Sequence, residues 1–543
     1  MQAIFRKKRS IYTFILFYVI TLVLYFPTRY AGFVFDFLGF EAGYKARGFL
    51  HYYSGSTMPN FRYVQHLFSY ILCKTVGPDT IYWYILYCLF HALAAYFGYL
   101  VVKRLFNLYH VSNATIIALA STLLFIISPY QAEVVVWRVC IQYCFVSIAI
   151  SLNILLLLSF FNEQLKWKPI LAFIIFAINM FAIEQAACIP IVLFTIAVII
   201  NWTDNKQLIK KTITHFVTPQ LLFIGFYFLL SKIVYHKWIM HYGSDAVNHA
   251  VSLETYTKFF RYIFRYVFLL RFIEDEGLKE RIFSTISHPM AILSFSILTL
   301  FLFYKLIKNW LQNKDRSGLY LILILLYVIT MLPVIQLYDT TLLLCTNDRL
   351  GYISSLFIFS TLSLFLLSRK KKFFAFIFFI IFLANSFFAM KMVHYWNISN
   401  KMLFSYARNF NHYDKKEIIA LAVPDNYKGI WMVRDSSALK ETINFRLKKS
   451  LEARIDEIAN FNLTAYDNGV NVKKENDSTI YVTFKQYGNW WWYNGVGMTN
   501  REDEKFKITV DEWCGYHLVI KNKQKHNYTI IYPDNLQWKE FTF

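Results

Sequence analysis

Residues 139–161 read VCIQYCFVSIAISLNILLLLSFF, 23 residues without one charged side chain. A helix crosses the hydrocarbon core of a bilayer with about 20 apolar residues, so this stretch predicts a transmembrane helix. Ten further runs read the same way: 11–26, 81–102, 113–128, 170–183, 186–202, 216–235, 289–306, 319–335, 351–368 and 373–390. Together they predict an all-α polytopic membrane protein of about eleven transmembrane helices. Composition agrees. Of 543 residues 57% are hydrophobic, 20% aromatic and only 17% charged, where soluble domains carry about 25% charged residues. The run at 11–26 is too long, and its flank too poor in small residues, to read as a cleaved signal peptide.

The charge of +22, from 56 Lys and Arg against 34 Asp and Glu, would suggest nucleic acid in a soluble protein. Its distribution argues otherwise. With the N-terminus in the cytosol, alternation puts Arg6 to Arg9, Lys103, Arg104, Lys166, Lys168, Lys206, Lys210, Lys211, Lys305, Lys308, Lys314, Arg316 and Arg369 to Lys372 on the cytosolic side. Against these nineteen stand Glu163, Asp204 and Asp315. This is the positive-inside pattern, and no nucleic-acid partner is expected. Seven cysteines form no CxxC pair and no metal-ligand spacing, so neither a disulfide framework nor a zinc site is indicated.

An odd number of spans places the C-terminus outside. Residues 1–395 read as the membrane domain and 396–543 as an extracytoplasmic α+β domain, the protein being integral to a plasma or inner membrane. In the second domain Ser436 opens a predicted helix over 436–460, and 479–484 and 516–520 alternate as strands. Residues 487–489 and 494–495 carry turn signals. Trp490, Trp491 and Trp492 read as a carbohydrate platform or as packing and membrane contact.

Ionisable residues at membrane depth are costly and therefore candidate site residues. Asp36 and Glu41 fall in the first outer loop, Glu133 and Arg138 flank the second, Glu184 sits between the fifth and sixth spans, and Asp348 and Arg349 precede the tenth. All are expected at one interface. Residues 61–76, FRYVQHLFSYILCKTV, form an amphipathic stretch suited to the interface plane. Arg261, Arg265 and Arg271 lie among aromatics, the first two on one helix face, and snorkelling to headgroups is their alternative reading. Carboxylates and arginines at that interface suit a lipid-linked phosphate donor held by guanidinium forks, with a carboxylate acting on an acceptor hydroxyl. Simpler readings stand beside these. Glu133 and Arg138 form a structural ion pair, Glu184 caps the sixth span, and His91 is a packed, hydrogen-bonded histidine.

Four segments, FVFDFLGFEAGY (33–44), SPYQAEVVVWR (128–138), FAIEQAACIPIVLF (181–194) and NDRLGYISS (347–355), resemble motifs of the GT-C type membrane glycosyltransferases. The branch they resemble is that of the protein O-mannosyltransferases. FHALAAYFGYLV (90–101) is similar to that family's second span with its histidine. The likeness covers about residues 1–400. It departs from the family where Phe37 follows Asp36, where Ile183 precedes Glu184, and where Phe61-Arg62 replaces Arg-Pro.

The resemblance implies a GT-C-like fold and an inverting transfer from a polyprenyl-phosphate sugar to a protein or cell-envelope glycan acceptor. Asp36 would be the general base, and Arg138 and Arg349 would bind the donor phosphate. It implies no divalent metal and no cofactor beyond the lipid-linked donor, and membrane lipids as partners. The competing readings are an envelope polysaccharide polymerase or ligase using a lipid diphosphate, and a transporter or flippase of lipid-linked sugar. The latter is disfavoured because the spans are apolar at their centres and show no inverted repeat.

Overall fold

A computed structural model of the chain describes residues 2–542 except 35, 55–60, 79, 204, 237, 239–258, 260–261, 264, 268, 270–271, 273–275, 313–315, 336–347, 370, 413, 416, 434–435, 449–450, 464–468, 486–489, 493–498, 512–514 and 522–527. The chain divides into two compact units. One comprises Met1–Arg29 and Gly55–Met392, the other Tyr30–Ser54 and Val393–Phe543.

The first unit is helical: α1 Gln2–Tyr25, α3 Tyr63–Thr75, α4 Ile81–Leu108, α5 Ala114–Ile127, α6 Ala132–Val136, α7 Ile141–Asn162, α8 Trp167–Met180, α9 Ile189–Asn201, α10 Lys206–Thr212, α11 Thr218–Tyr235, α12 Glu276–Ser287, α13 Pro289–Leu311, α14 Ser317–Met331, α15 Tyr352–Leu367 and the start of α16 Lys372–Arg408. Helix α2, Asp36–Ser54, belongs to the second unit. A helix satisfies its own backbone polar groups, which lipid requires of any spanning segment.

Among the described residues eight helices are long and apolar enough to cross a membrane, and α5 with Pro129–Val136 makes a ninth if its 55° bend is taken within one span. The runs expected at 170–183 and 319–335 appear as the shorter apolar helices Trp167–Met180 and Ser317–Met331. The bend has a local cause. Ser128, preceding Pro129, is extended at ψ 131°, the conformation a following proline imposes. The protein is thus a polytopic membrane protein.

Helix α4 is the hub, packing on α1, α5 and α7. Ala92, Ala94 and Ala95 on it are buried, and small residues allow such close helix approach in lipid. At Gly98 an added Cβ would lie 2.5 Å from Leu356 Cδ2. By contrast α13 has no buried residue, and the large apolar side chains it leaves exposed, Leu293, Ile297, Leu300 and Phe301, suit a face turned to hydrocarbon.

The second unit is α+β. Strand β1 (Glu417–Tyr427) is parallel to β10 (Thr529–Asp534) on one side and to β3 (Arg454–Leu463) on the other. Antiparallel β11 (Gln537–Phe541) and β6 (Trp490–Trp492) close the flanks, and β2 (Ile430–Trp431) folds back on β1. The β1–β2 connection is a two-residue turn with Lys428 at φ 48° and Gly429 at φ 83°, the pair of positive values that a tight hairpin requires.

The second sheet is antiparallel in the order β4 (Val470–Lys474), β5 (Thr479–Phe484), β9 (Gly515–Ile520), β8 (Phe506–Asp511), β7 (Arg501–Glu502). Tyr516 Oη in β9 donates to Leu421 O in β1 at 2.5 Å, joining the two sheets. The strands expected at 479–484 and 516–520 are β5 and most of β9. The helix expected over 436–460 is corrected: the helix, α17, spans Ser436–Leu447, and Arg454–Leu463 is strand β3. Lys448 at φ 54° is the left-handed residue that stops the helix. As an inner strand parallel to β1, β3 is buried almost throughout, which erases the alternation by which strands are recognised. The turns expected at 487–489 and 494–495 lie outside the described residues.

Candidate functional site

In the first unit the connections between helices meet through charged and amide side chains at one end. Glu133, in α6, receives the Arg349 backbone N–H at 2.8 Å and its guanidinium at 2.5 Å. The Arg349 guanidinium also lies 5.1 Å from the Trp137 ring centroid. The carboxylate is thus held at both oxygens, one by a backbone N–H and the other by a charge-assisted bond from the guanidinium. The pairing of Glu133 with Arg138 that the sequence allowed is therefore replaced by one with Arg349.

Arg138 is 1% exposed. Its guanidinium donates to Val135 O at 2.9 Å and to Thr28 O at 3.3 Å and lies 5.2 Å from the Tyr87 ring, while Tyr87 Oη donates to Arg138 O at 2.5 Å. Nothing in the span 81–102 distinguished Tyr87 from the other 38 tyrosines, so this contact had no sequence signal.

Arg265 and Asp348 form an ion pair with side chains 1% and 0% exposed. The Arg265 guanidinium lies 5.1 Å from the Tyr130 ring and 5.9 Å from that of Tyr262. Aromatic faces attract the cation where water does not reach it. Gly351 closes this corner tightly, since a Cβ there would sit 1.9 Å from Tyr266 Oη. Arg261 and Arg271 lie outside the described residues.

Glu184 begins a short 3-10 turn, Glu184–Cys188, and its carboxylate takes a hydrogen bond from Arg62 at 3.3 Å. Gln185 donates to Thr330 O at 2.9 Å, and Gln131 to Ser355 Oγ at 2.8 Å. Across these turns lies α3, tied by Val64 N to Phe181 O at 3.0 Å and by Gln65 Nε2 to Val139 O at 2.8 Å. Its buried face is mostly polar, with Gln65, His66, Ser69 and Leu72, while Leu67 and Ile71 are exposed. A polar face turned inward and an apolar face outward suit a helix lying against lipid. Burial, aided by the Arg62 charge, pushes His66 down to about 4.

His91 is fully buried in α4, 2.6 Å from Tyr352 Oη by Nδ1 and stacked on Phe125 at 5.4 Å.

Asp36 and Glu41 belong to the second unit. Asp36 is half-buried in the first turn of α2, where the helix dipole favours a carboxylate. Phe33 and Phe37 flank it, 5.0 Å apart, and pack on Phe445 of α17 at 5.8 and 6.0 Å. Glu41 is buried and paired with Lys45. Burial and the nearby Glu41 charge raise the Glu441 carboxyl above its ordinary range, against Lys440 and Lys45. Among the described residues no three His, Cys, Asp or Glu side chains gather as a metal site.

No protein-family model matches the chain, and no curated protein matches it.

Proposed function

We propose that the protein is a GT-C type glycosyltransferase, transferring a sugar from a polyprenyl-phosphate donor to a protein or envelope glycan on the extracytoplasmic face, with its N-terminus in the cytosol. The observation that carries this reading is the gathering of Arg62, Arg138, Arg265 and Arg349 from four distant stretches at one end of an otherwise apolar bundle. Guanidinium groups at membrane depth match a phosphate whose isoprenoid tail stays in lipid.

In this scheme Asp36 takes the proton of the acceptor hydroxyl and the acceptor oxygen attacks the anomeric carbon. The bond from that carbon to the phosphate oxygen breaks, and the configuration inverts. Arg349, held by Glu133, and Arg138, held by two carbonyls, are the groups assigned to the charge growing on the leaving phosphate. Fixed donors need no reorganisation as that charge develops. The positive-inside distribution of lysines and arginines supports the orientation.

The test is transfer by the purified full-length protein offered a panel of polyprenyl-phosphate sugars. Asp36→Asn should lower turnover by about 10²–10⁴-fold, the usual scale of general base catalysis. Unchanged transfer by that variant would remove the base, and no transfer from any monophosphate donor would remove the donor class.

A further inference from the structure

At the other end of the first unit, the connections α7–α8 and α10–α11 enclose a groove of about 590 Å³. Its walls are apolar, with Phe160, Pro169, Phe173 and Pro219, and Ile170 stands at the margin. Its rim carries Lys166, Lys211, His215, Gln164 and Thr214, without a carboxylate among the lining residues.

The local fold explains why the groove exists. Lys168 is buried and donates to Ser159 O at 3.0 Å and Glu163 O at 2.8 Å, capping the end of α7 and turning the chain into α8. Opposite, α10 passes into α11 through a π-helical turn, Ile213–Val217. The extra residue of such a turn displaces the side chains on either side of it. Lys211 Nζ donates to Gln164 Oε1 at 2.5 Å, bridging the two walls at the mouth.

The depth of the groove also identifies its surroundings. Trp167 beside it and Trp202 before α10 are 52% and 46% exposed, and exposed tryptophans at helix ends mark the headgroup level of a bilayer. Along α8 and α11 the exposed residues next in line are Leu171, Ile174, Leu221 and Leu222. A ligand here therefore meets cations at one end and a hydrocarbon-like slot at the other.

We propose that this groove binds one anionic phospholipid, its phosphodiester between Lys166 and Lys211 and an acyl chain along Ile170 and Phe173. Charge complementarity selects this occupant, because an apolar slot alone would accept any chain, whereas two ammonium groups with no lining carboxylate favour a net negative headgroup. The site is independent of the transferase reading and lies on different loops.

The full-length protein in non-ionic detergent is titrated with phosphatidylglycerol and with phosphatidylcholine of the same acyl chains, and the bound lipid is counted by native mass spectrometry. One phosphatidylglycerol should be held on the order of tenfold more tightly, the preference falling as salt rises. Lys166→Gln with Lys211→Gln should abolish that preference and leave phosphatidylcholine unchanged. Equal retention of the two lipids, an unchanged double variant, or displacement by inorganic phosphate would overturn the site. Should the double variant fail to fold, wild-type protein is crosslinked with phosphatidylglycerol bearing a photoreactive acyl chain. Label in residues 160–173 or 211–219 supports the site, and label only elsewhere overturns it.

Discussion

The two ends of the helical unit handle charge in opposite ways. At one, arginines are buried against carboxylates carried by distant turns, as in Arg265 with Asp348 and Arg349 with Glu133. At the other, Lys166 is exposed and Lys211 leans on an amide across a groove with no lining acid. Burial demands a partner because an isolated ion in low dielectric costs several kcal/mol. A cation at headgroup level meets water and lipid phosphate instead. One end is thus built to fix its cations and the other to present them.

The sharpest way to break this contrast is to strip one partner from the most buried pair. Asp348→Asn or Arg265→Met should each destabilise the membrane unit by about 3–5 kcal/mol, since each takes the opposite charge away from a buried ion. Combining Arg265→Met with Asp348→Asn removes both charges and should cost less than the sum of the two single losses. Thermal unfolding in detergent reads all three, and additive losses would show that the pair is not coupled. Glu133→Gln comes next. It keeps shape but removes the charge facing Arg349, and charge-assisted hydrogen bonds are worth about 1.5–3 kcal/mol, so a loss in that range is expected by the same measurement.

The spans were legible because a helix that crosses lipid must be long and apolar, and residues 141–162 declare one without ambiguity. The break at Ser128 was less so, although Pro129 carries its signal. The pairing of Glu133 with Arg349 could not be read at all. These residues are 216 positions apart, while Arg138 stands five residues from Glu133 and is the partner that sequence proximity suggests. In the second unit β3 defeated periodicity because it is covered on both faces, and its Asp456-Glu457 step looks helical although Asp456 instead pairs with Lys505 at 2.7 Å. The grouping of residues 30–54 with 393–543 likewise rests on aromatic contacts such as Phe33 with Phe445, which no local pattern announces.

Acid should sharpen the comparison by attacking the buried end through His66. His66 titrates near 4 in the folded chain, with burial as the main cause and Arg62 adding to it, against about 6.5 when unfolded. Its folded-state pKa is depressed, so the unfolded chain binds the extra proton first. The stability is intact above pH 6.5 and lost as pH falls toward 4. Between pH 7 and 5 the loss should approach about 2 kcal/mol from this group, at about 1.4 kcal/mol per pH unit, and His66→Gln should flatten that part of the profile in pH-dependent unfolding. An unchanged slope would place the acid sensitivity elsewhere.

The smallest effect is expected where the two ways of handling charge grade into each other. Arg62 and Glu184 meet at 3.3 Å with side chains 19% and 30% exposed, so water weakens their attraction and reduces the cost of parting them. Arg62→Ala should therefore lower stability by about 1 kcal/mol or less, and raising the salt concentration should narrow the gap to wild type. If the loss instead matched that of Asp348→Asn, and salt left it untouched, Arg62 would belong to the dry set. The boundary between fixed and presented cations would then lie beyond α3, at the lipid-facing side of that helix.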